Sequence, residues 1–406
     1  MNTPSTLSVG ATITLRATSM ANGGDAVGRH SDLVVFLQGA ALGELVSARI
    51  VEMRKTFARA VVVDVLEPSA DRVAPLCPYF GACGGCQWQF LDYPAQVRAK
   101  NQIVREQFQR SFRLSDAALD TAMRVPLAMV DPWQYRNVIT VEPTKDDKPA
   151  FHHLHSAELV AISLCPISQP AISGELIRLS TAGMSSETTI RADGAGAATS
   201  FGASERRTVY YTLLGRRFRV SGGAFFQVNT RPETRPDGSS QSMADLLARC
   251  VLEGLALTGN ETVLDLYAGV GTFAILAAPH ARRVVAVEEA PIAGTDARFN
   301  AVAADAQNIA VHVHKAERFM TTFAERVDAV VLDPPRAGCG NGVLDGLLRL
   351  RPSRIVYVSC DVATLVRDIR ALHAAYRIDS VQMVDLFPQT HHIETVTVLT
   401  RREEKQ

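Results

Sequence analysis

Hydrophobic and polar positions alternate in two different ways along the chain. Between residues 8 and about 65, short β-branched runs such as TITLR, LVVFL and TFARAVVVDV are separated by glycine-containing turns, a pattern that predicts strands of a small β-barrel. From about Phe225 onward, apolar runs such as VLDLY, VVAVE and RIVYVSC alternate with Ala-rich or amphipathic stretches. Such alternation of strand and helix predicts an α/β domain with a parallel sheet.

The last strand should break this parallel order. HIETVTVLT follows SVQMVDLF after only a few residues, and so short a link cannot carry a parallel crossover. We therefore expect an antiparallel last strand that begins at the edge where the parallel strands end. Between the two patterned regions, residues 93–118 have the pattern of a helix with one polar face, and residues 119–222 mix strands and loops.

Composition and charge are those of a protein with several domains. The chain has 406 residues, 47% of them hydrophobic and 21% charged, which suits two or three cores. It has neither an apolar run of the ~18 residues that a membrane helix needs nor the pattern of a signal peptide at its start, so we expect a cytoplasmic protein with no membrane partner. A formal net charge of zero excludes a uniformly basic nucleic-acid-binding protein and allows only local basic clusters.

Four of the seven cysteines have a spacing that favours a metal site. Cys77, Cys83 and Cys86 form C-x5-C-x2-C, and Cys165 offers a fourth thiolate. In a reducing compartment such clustering indicates metal binding or catalysis rather than disulfides. Four thiolates suit either an iron–sulfur cluster or a structural zinc ion, and the spacing does not separate the two. We interpret two further cysteines as bystanders: Cys250 and Cys339.

A glycine-rich turn predicts a nucleotide-like cofactor. LDLYAGVGTF carries an apolar strand into a turn that contains Gly269 and Gly271, where the backbone can approach a ligand closely. The next strand ends in Glu288, whose carboxylate could hold ribose hydroxyls. Because the full G-x-G-x-x-G clamp for a diphosphate is missing, we favour S-adenosylmethionine over NAD. The alternative is that Glu288 only caps the following helix.

Three further strand ends carry reactive groups. Asp333 in LDPPRAG and Cys360 in YVSCD end predicted parallel strands, and Glu394 begins the antiparallel one, so all should meet at the ligand-binding edge. A thiolate that adds to carbon 6 of uracil makes carbon 5 nucleophilic toward a methyl donor, and a carboxylate can then remove the carbon 5 proton. Cys360 and Glu394 fit the roles of nucleophile and base in such a uridine C5 methylation; the alternative for Cys360 is a buried structural cysteine.

Taken together, the motifs resemble the RNA uridine-5-methyltransferase family, and most closely its 23S ribosomal RNA branch, over nearly the whole chain. The motifs are PSADRVAPLCPYFGACGGCQWQFLDY, YRN, FFQVN, LDLYAGVGTF, LDPPRAG, YVSCD and FPQTHHIE. The resemblance implies a TRAM RNA-binding β-barrel at 1–65, a central α+β iron–sulfur domain at 66–92 and 119–222, and a Rossmann-like catalytic domain at 93–118 and 223–406.

The resemblance also implies roles for particular residues. Cys360 would be the nucleophile and Glu394 the base. The ligands of a [4Fe–4S] cluster would be Cys77, Cys83, Cys86 and Cys165. The S-adenosylmethionine pocket would include Gln227, Tyr267, Gly269, Thr272, Glu288 and Asp333, although Thr272 stands where the ribosomal branch often has Asn. Two residues are candidates for contacts with RNA: Phe225 and Arg136.

The implied partner is 23S ribosomal RNA, with the target uridine in a single strand or loop and extruded into the pocket. No obligate protein partner is evident. Three alternatives stay open: a transfer-RNA uridine methyltransferase, although that branch typically lacks the TRAM domain and the cluster cysteines; an amino-group methyltransferase, which needs no thiol; and an RNA-binding protein whose methyltransferase fold is silent.

Overall fold

A closed five-stranded β-barrel lies near the N-terminus of the computed structural model, which describes residues 7–202, 205 and 207–403. Its strands have the order β1-β2-β3-β5-β4. They are β1 (Thr12–Met20), β2 (Ala26–His30), β3 (Leu33–Gln38), β4 (Leu45–Met53) and β5 (Phe57–Glu67). Along β1 the buried residues Ile13, Leu15 and Ala17 alternate with exposed ones, as in barrels filled by side chains. The predicted small barrel is confirmed, and the first six residues of its predicted domain lie outside the described residues.

The chain forms two compact units. The first contains the described parts of Met1–Ile103, with His152–Ala157 and Pro388–His392. The second contains Val104–Phe151, Glu158–Phe387 and Ile393–Gln406, again as far as they are described. These units do not coincide with the three predicted domains, whose boundaries stay a prediction.

In the first unit, buried polar side chains hold the cysteine-containing segment in place. Trp88 is 1% exposed, and its indole Nε1 donates to the carbonyl of Gly24 at 2.8 Å. Gln96 is fully buried; its amide donates to the side-chain oxygen of Gln389 at 3.0 Å and accepts from the Gln389 N–H at 2.8 Å. Two hydrogen bonds therefore join Gln96 to Gln389, which lies far from it in sequence.

Two helices occupy the stretch that the sequence predicted as one. They are α1 (Tyr93–Phe112) and α2 (Asp116–Ala122). The chain breaks between them at Arg113, which has a φ of +52°, and Ser115 caps α2 by accepting from the Ala118 N–H. A left-handed residue ends a helix, and a serine then begins the next one.

The central region is built on a five-stranded sheet with the order β10-β9-β6-β7-β8. Its strands are β6 (Val138–Pro143), β7 (Pro149–His152), β8 (Leu159–Ala161), β9 (Thr188–Ala192) and β10 (Ala198–Gly202). The sequence did not predict helix α3 (Pro170–Ala182), which begins with proline at its first position, where the missing N–H is harmless. Two small hairpins follow: β11 (Thr208–Leu213) with β12 (Arg216–Ser221), and β13 (Glu233–Thr234) with β14 (Ser240–Gln241).

A seven-stranded sheet with the order β17-β16-β15-β18-β19-β21-β20 forms the core of the second unit. The strands are β15 (Thr262–Leu266), β16 (Arg283–Glu288), β17 (Ile309–Val313), β18 (Ala329–Leu332), β19 (Arg354–Ser359), β20 (Tyr376–Val384) and β21 (Glu394–Arg401). The helices are α4 (Met243–Leu255), α5 (Thr272–Ala277), α6 (Pro291–Ala303), α7 (Ala316–Thr322), α8 (Asn341–Leu350) and α9 (Val362–Leu372), with a short 3₁₀ turn at Ala278–His280.

The pairing of this sheet matches the prediction. β15, β16, β17, β18 and β19 pair in parallel, and β21 runs antiparallel to both β19 and β20. The five residues of β15 and the four of β18 are all buried, as expected when helices cover both faces of a parallel sheet. The predicted antiparallel last strand is confirmed. Among the helices described here, none is long and apolar enough to cross a membrane.

Candidate active site

The candidate residues form a row along one edge of the seven-stranded sheet. Strands β16, β15, β18, β19 and β21 are consecutive neighbours; the first four end at this edge and β21 begins there. In this order they carry Glu288, Asp265 with Tyr267, Asp333, Cys360 and Glu394. Neighbouring strands lie about 4.8 Å apart, so the row spans roughly 20 Å and leaves room for a ligand along it.

Strand register places the thiol beside a carboxyl group. Ser359 pairs with Thr395 across β19 and β21, so the next residues outward are Cys360 and Glu394. Directly opposed residues of antiparallel strands have Cα atoms about 5 Å apart. Glu394 is 4% exposed, whereas Cys360 is only partly buried, so its sulfur is not sealed inside the core.

Three of the carboxyl groups at this edge, those of Asp265, Asp333 and Glu394, have raised pKa values. Burial raises the pKa of Asp265 to about 8 and that of Asp333 to about 7. Burial, and then the charge of Asp333, raise the pKa of Glu394 well above its usual value. Because each carboxylate is desolvated and repels its neighbours, the edge favours a ligand that brings positive charge.

The thiol shares this acidic environment. Burial raises the pKa of Cys360 to about 12, and the carboxyl groups of Glu394 and Asp333 add to the effect. The guanidinium of Arg336 acts in the opposite direction and stabilises the thiolate. Sequence reasoning did not single out Arg336, although its place in LDPPRAG, three residues after Asp333, was an available signal.

The glycine-rich turn has the geometry of a close approach to a ligand. Gly269 and Gly271 have φ values of +55° and +85°, a region that favours glycine. Asp265, at 0% exposure, accepts from the Ala274 N–H at 2.8 Å through Oδ2. Its other oxygen, Oδ1, is buried without a hydrogen-bond partner among the described residues. A buried oxygen without a partner at a functional edge is typical of a place where a ligand or water binds.

Glu288 contacts both the turn and a helix start. Its Oε2 accepts from the Gly269 N–H at 2.8 Å, and its Oε1 accepts from the Ala290 N–H at 2.8 Å. Ala290 is the residue just before helix α6, so the carboxylate accepts from the backbone at the start of that helix, and the capping interpretation stays an alternative. Since each oxygen can accept more than one hydrogen bond, the predicted ribose contact stays a prediction.

Three other predicted pocket residues differ in their exposure and hydrogen bonding. Tyr267 has a φ of +64°, and its hydroxyl donates to Glu317 Oε1 at 2.9 Å. Thr272 is the first residue of α5 and is partly buried. Gln227 is 7% exposed, and its carbonyl accepts from the Asn137 amide at 3.0 Å.

The two predicted RNA contacts differ in accessibility. The side chain of Phe225 is 62% exposed, which is unusual for a large aromatic residue and leaves its ring open for stacking. Arg136 is partly buried, and its Nε donates to the carbonyl of Val138 at 2.9 Å. Part of its guanidinium is therefore already used within the protein.

The predicted metal site receives no support from the structure. Among the described residues, no group of three or more His, Cys, Asp or Glu side chains is arranged to hold a metal ion. In the first unit, the Gly85 N–H points to Cys83 Sγ at 3.4 Å. The spacing of the cysteines is a local signal, whereas coordination requires a three-dimensional arrangement.

Comparison with known proteins identifies the family. A TRAM domain model matches residues 7–63, and a tRNA (Uracil-5-)-methyltransferase model matches residues 241–402. An uncharacterized RNA methyltransferase of Thermosynechococcus vestitus is 30% identical over 96% of this chain and 98% of its own length. The chain belongs to the RNA (uracil-5-)-methyltransferase family. A Bacillus cereus relative, also an uncharacterized RNA methyltransferase, is 30% identical over 98% of both chains.

A solved structure has the same fold as this chain along nearly the whole length of both proteins. The tRNA (uracil-54, C5)-methyltransferase of Pyrococcus abyssi superposes with a TM-score of 0.71 at 23% identity, covering 95% of this chain and 99% of that one. The predicted family, TRAM barrel and Rossmann-like methyltransferase domain are thereby confirmed. The predicted iron–sulfur domain is not.

Proposed function

We propose that this chain transfers a methyl group from S-adenosylmethionine to carbon 5 of a uridine in RNA, with Cys360 as nucleophile and Glu394 as base. The observation that supports the proposal is the register of β19 and β21: Ser359 pairs with Thr395, so Cys360 and Glu394 are the next residues along the two chains, and the charge of Glu394 acts on the thiol. Family membership supports the reaction class.

The residues present fit S-adenosylmethionine. Burial raises the pKa values of the carboxyl groups of Asp333, Asp265 and Glu394. The positively charged sulfonium and ammonium groups of the cofactor would stabilise their ionised forms. The unpartnered Oδ1 of Asp265 and the turn at Gly269 offer polar contacts to the nucleoside part. We assign the cofactor pocket to Gln227, Tyr267, Gly269, Thr272, Glu288 and Asp333. When bound, S-adenosylmethionine supplies an electrophilic methyl group.

Two residues of this chain perform the proposed bond changes on uracil. The thiol of Cys360 first loses its proton to solvent, a loss that the positive charge of Arg336 favours. The thiolate then forms a bond to carbon 6, and the electrons of the C5–C6 double bond move through carbon 5 into the C4 carbonyl as an enolate. Carbon 5 then takes the methyl group. Glu394 accepts the proton of carbon 5, the double bond re-forms and the Cys360 thiolate leaves. A raised pKa makes Glu394 a stronger base than an exposed carboxylate.

A trapping experiment tests the nucleophile. RNA that contains 5-fluorouridine, with S-adenosylmethionine present, should form a denaturation-resistant adduct with the wild-type protein, because fluorine cannot leave as a proton does. The adduct should vanish in Cys360→Ala and persist in the matched control Cys250→Ala, which changes a cysteine on α4. An adduct that persists in Cys360→Ala would contradict the assignment.

We propose 23S ribosomal RNA as the substrate, with transfer RNA as the competing one. The TRAM barrel and the cysteine motif favour the ribosomal substrate. The Pyrococcus abyssi enzyme, by name a tRNA methyltransferase, aligns with 95% of this chain, so overall likeness does not separate the two. Adducts measured in parallel on 23S fragments and on transfer RNA decide between them, and Phe225 and Arg136 are the proposed RNA contacts.

The [4Fe–4S] cluster stays a prediction based on the cysteine motif, and no reaction step depends on it. Iron and sulfide analysis of anaerobically purified protein tests it. About four irons per chain, lost in Cys83→Ser, would support the cluster, whereas protein without iron, or with one zinc, would refute it.

A further inference from the structure

A buried carboxylate in the middle of α9 collects hydrogen bonds from three segments of the second unit. Asp368 is 0% exposed. Its Oδ2 accepts from the Cys339 N–H at 2.7 Å and from the Tyr357 hydroxyl at 2.7 Å. Its Oδ1 accepts from the Nε of Arg367 at 2.8 Å. A desolvated carboxylate persists in a core only when such partners compensate its charge.

The loop that follows β18 packs against the ion pair formed by Arg367 and Asp368. Arg367 Nη2 also donates to the carbonyl of Ala337 at 2.8 Å. Gly338, between the two bonded loop residues, has a φ of +76°, and a β-carbon there would lie 2.5 Å from both Arg367 Nη2 and Asp368 Oδ2. Only glycine therefore lets the segment 337–339 approach so closely.

The bonded segments are close in sequence to the candidate residues. The segment 337–339 directly follows Asp333 and Arg336, two groups whose charges act on the thiol. Tyr357 precedes Cys360 by three residues on β19, and α9 starts at Val362, two residues after it. One carboxylate thus links the LDPPRAG loop, the strand that ends at the thiol and the helix that begins after it.

We propose that Asp368 and Arg367 are positioning residues of the methyltransferase site, which hold the LDPPRAG loop in register with Cys360. The inference rests on the proposed function. Neither residue is placed at the row of reacting groups, so the effect is transmitted through the loop backbone. The thiol of Cys339 has no part in it: the residue is 5% exposed, burial raises its pKa to about 12, and its N–H makes the contact.

Two independent changes displace the loop without altering any reacting group. Arg367→Leu removes the bond to Ala337 and leaves Asp368 with its other two donors. Gly338→Ala keeps both side chains of the ion pair, but its β-carbon would lie 2.5 Å from each of them, so the loop must move away. For each we expect the saturating rate of adduct formation on 5-fluorouridine RNA to fall between about ten- and a hundredfold, the cost of misplacing groups by about 1 Å.

The same variants should keep cofactor and RNA affinity. Dissociation constants for S-adenosylhomocysteine and RNA should stay within about twofold of wild type, so the loss is in rate rather than binding. Arg367→Lys, which can still donate to the carbonyl of Ala337, should recover most of the rate. Arg370→Leu, an exposed arginine one turn later on α9, is the matched control and should behave as wild type.

The outcomes separate the two proposals. If wild-type protein forms no adduct, the proposed function fails. If wild type forms the adduct and both Arg367→Leu and Gly338→Ala form it at the wild-type rate, the positioning role is wrong. A loss of rate matched by an equal loss of S-adenosylhomocysteine affinity would also overturn it, because that pattern indicates a general structural role.

Discussion

The buried carboxyl groups at the edge of the seven-stranded sheet should make the binding of S-adenosylmethionine strongly dependent on pH. The binding of its demethylated product, S-adenosylhomocysteine, should depend on pH far less. The two molecules differ by a methyl group and by the positive charge on sulfur. A unit charge one strand spacing, about 5 Å, from the Asp333 carboxylate contributes about 3 kcal/mol at an effective dielectric constant of ~20. That energy corresponds to about two pKa units, so the pKa of Asp333 should fall from about 7 in the free protein to about 5 in the complex.

The sign follows from proton linkage. A carboxyl group whose pKa is lower in the complex releases a proton on binding, so affinity is full above the free pKa and is lost as the pH falls toward the bound pKa. Between about pH 7 and pH 5 the dissociation constant for S-adenosylmethionine should rise about tenfold per pH unit. S-adenosylhomocysteine lacks the sulfonium charge, so its affinity should change far less.

Titration calorimetry at pH 5.5, 6.25 and 7 with both ligands measures this difference, and repeating it in buffers of different ionisation enthalpy counts the released protons. Asp333→Asn should flatten the curve for S-adenosylmethionine. The matched control Asp345→Asn changes an exposed acid on α8 and should leave it intact. If the two ligands follow the same pH curve in the wild-type protein, the electrostatic reasoning is wrong.

Three further changes have clear expected results. Glu394→Gln should accumulate a covalent adduct on unmodified RNA, seen by denaturing electrophoresis, because the carbon 5 proton has no acceptor; normal turnover would exclude Glu394 as base. Gln96→Leu should lower the free energy of unfolding in urea by about 2–4 kcal/mol, since it leaves buried polar groups of Gln389 without partners; a loss below about 0.5 kcal/mol would contradict this. Burial raises the pKa of Glu44, but hydrogen bonds from Arg72 and from two backbone N–H groups outweigh burial, so the net pKa is lowered. The wild-type protein should therefore be more stable than Glu44→Gln above about pH 4.5. In acid unfolding curves this difference in stability should shrink as the pH falls further.

Local patterns sufficed to predict much of the fold and the row of candidate residues. The strand-to-helix alternation after Phe225 and the short link before Glu394 are signals within about ten residues of chain, and topology then brings strand ends to one edge. Cys360 and Asp333 could be placed there because each ends an apolar run. The same rule could not place the cysteine motif in a metal site, because coordination depends on side-chain positions that spacing does not determine.

The interactions that the sequence did not reveal join distant segments through single side chains. Gln96 and Gln389 are 293 residues apart, and Asp368 and Cys339 are 29 apart. Neither pair has a motif. Each is made by a polar group that tertiary packing has buried, and the identity of its partner is decided only when the elements pack together.

Even so, α9 carries a signal that points to its buried acid. Leu365, Ile369 and Leu372 form the apolar face of the helix and are buried, and Asp368 is three residues after the first and four before the last, so helical periodicity places it on that same face. An acid at a core-facing position cannot stay without partners, because its desolvation would cost more than one side chain contributes by packing. Its presence on that face therefore predicts hydrogen-bond donors from a neighbouring segment. Helix α6 gives a second example: Asp296 is buried and accepts hydrogen bonds from Arg219 and Ser221. Acids on the apolar faces of helices thus indicate where distant segments are joined by hydrogen bonds. In α9, which begins two residues after Cys360, the joined segments are those that adjoin the thiol in sequence.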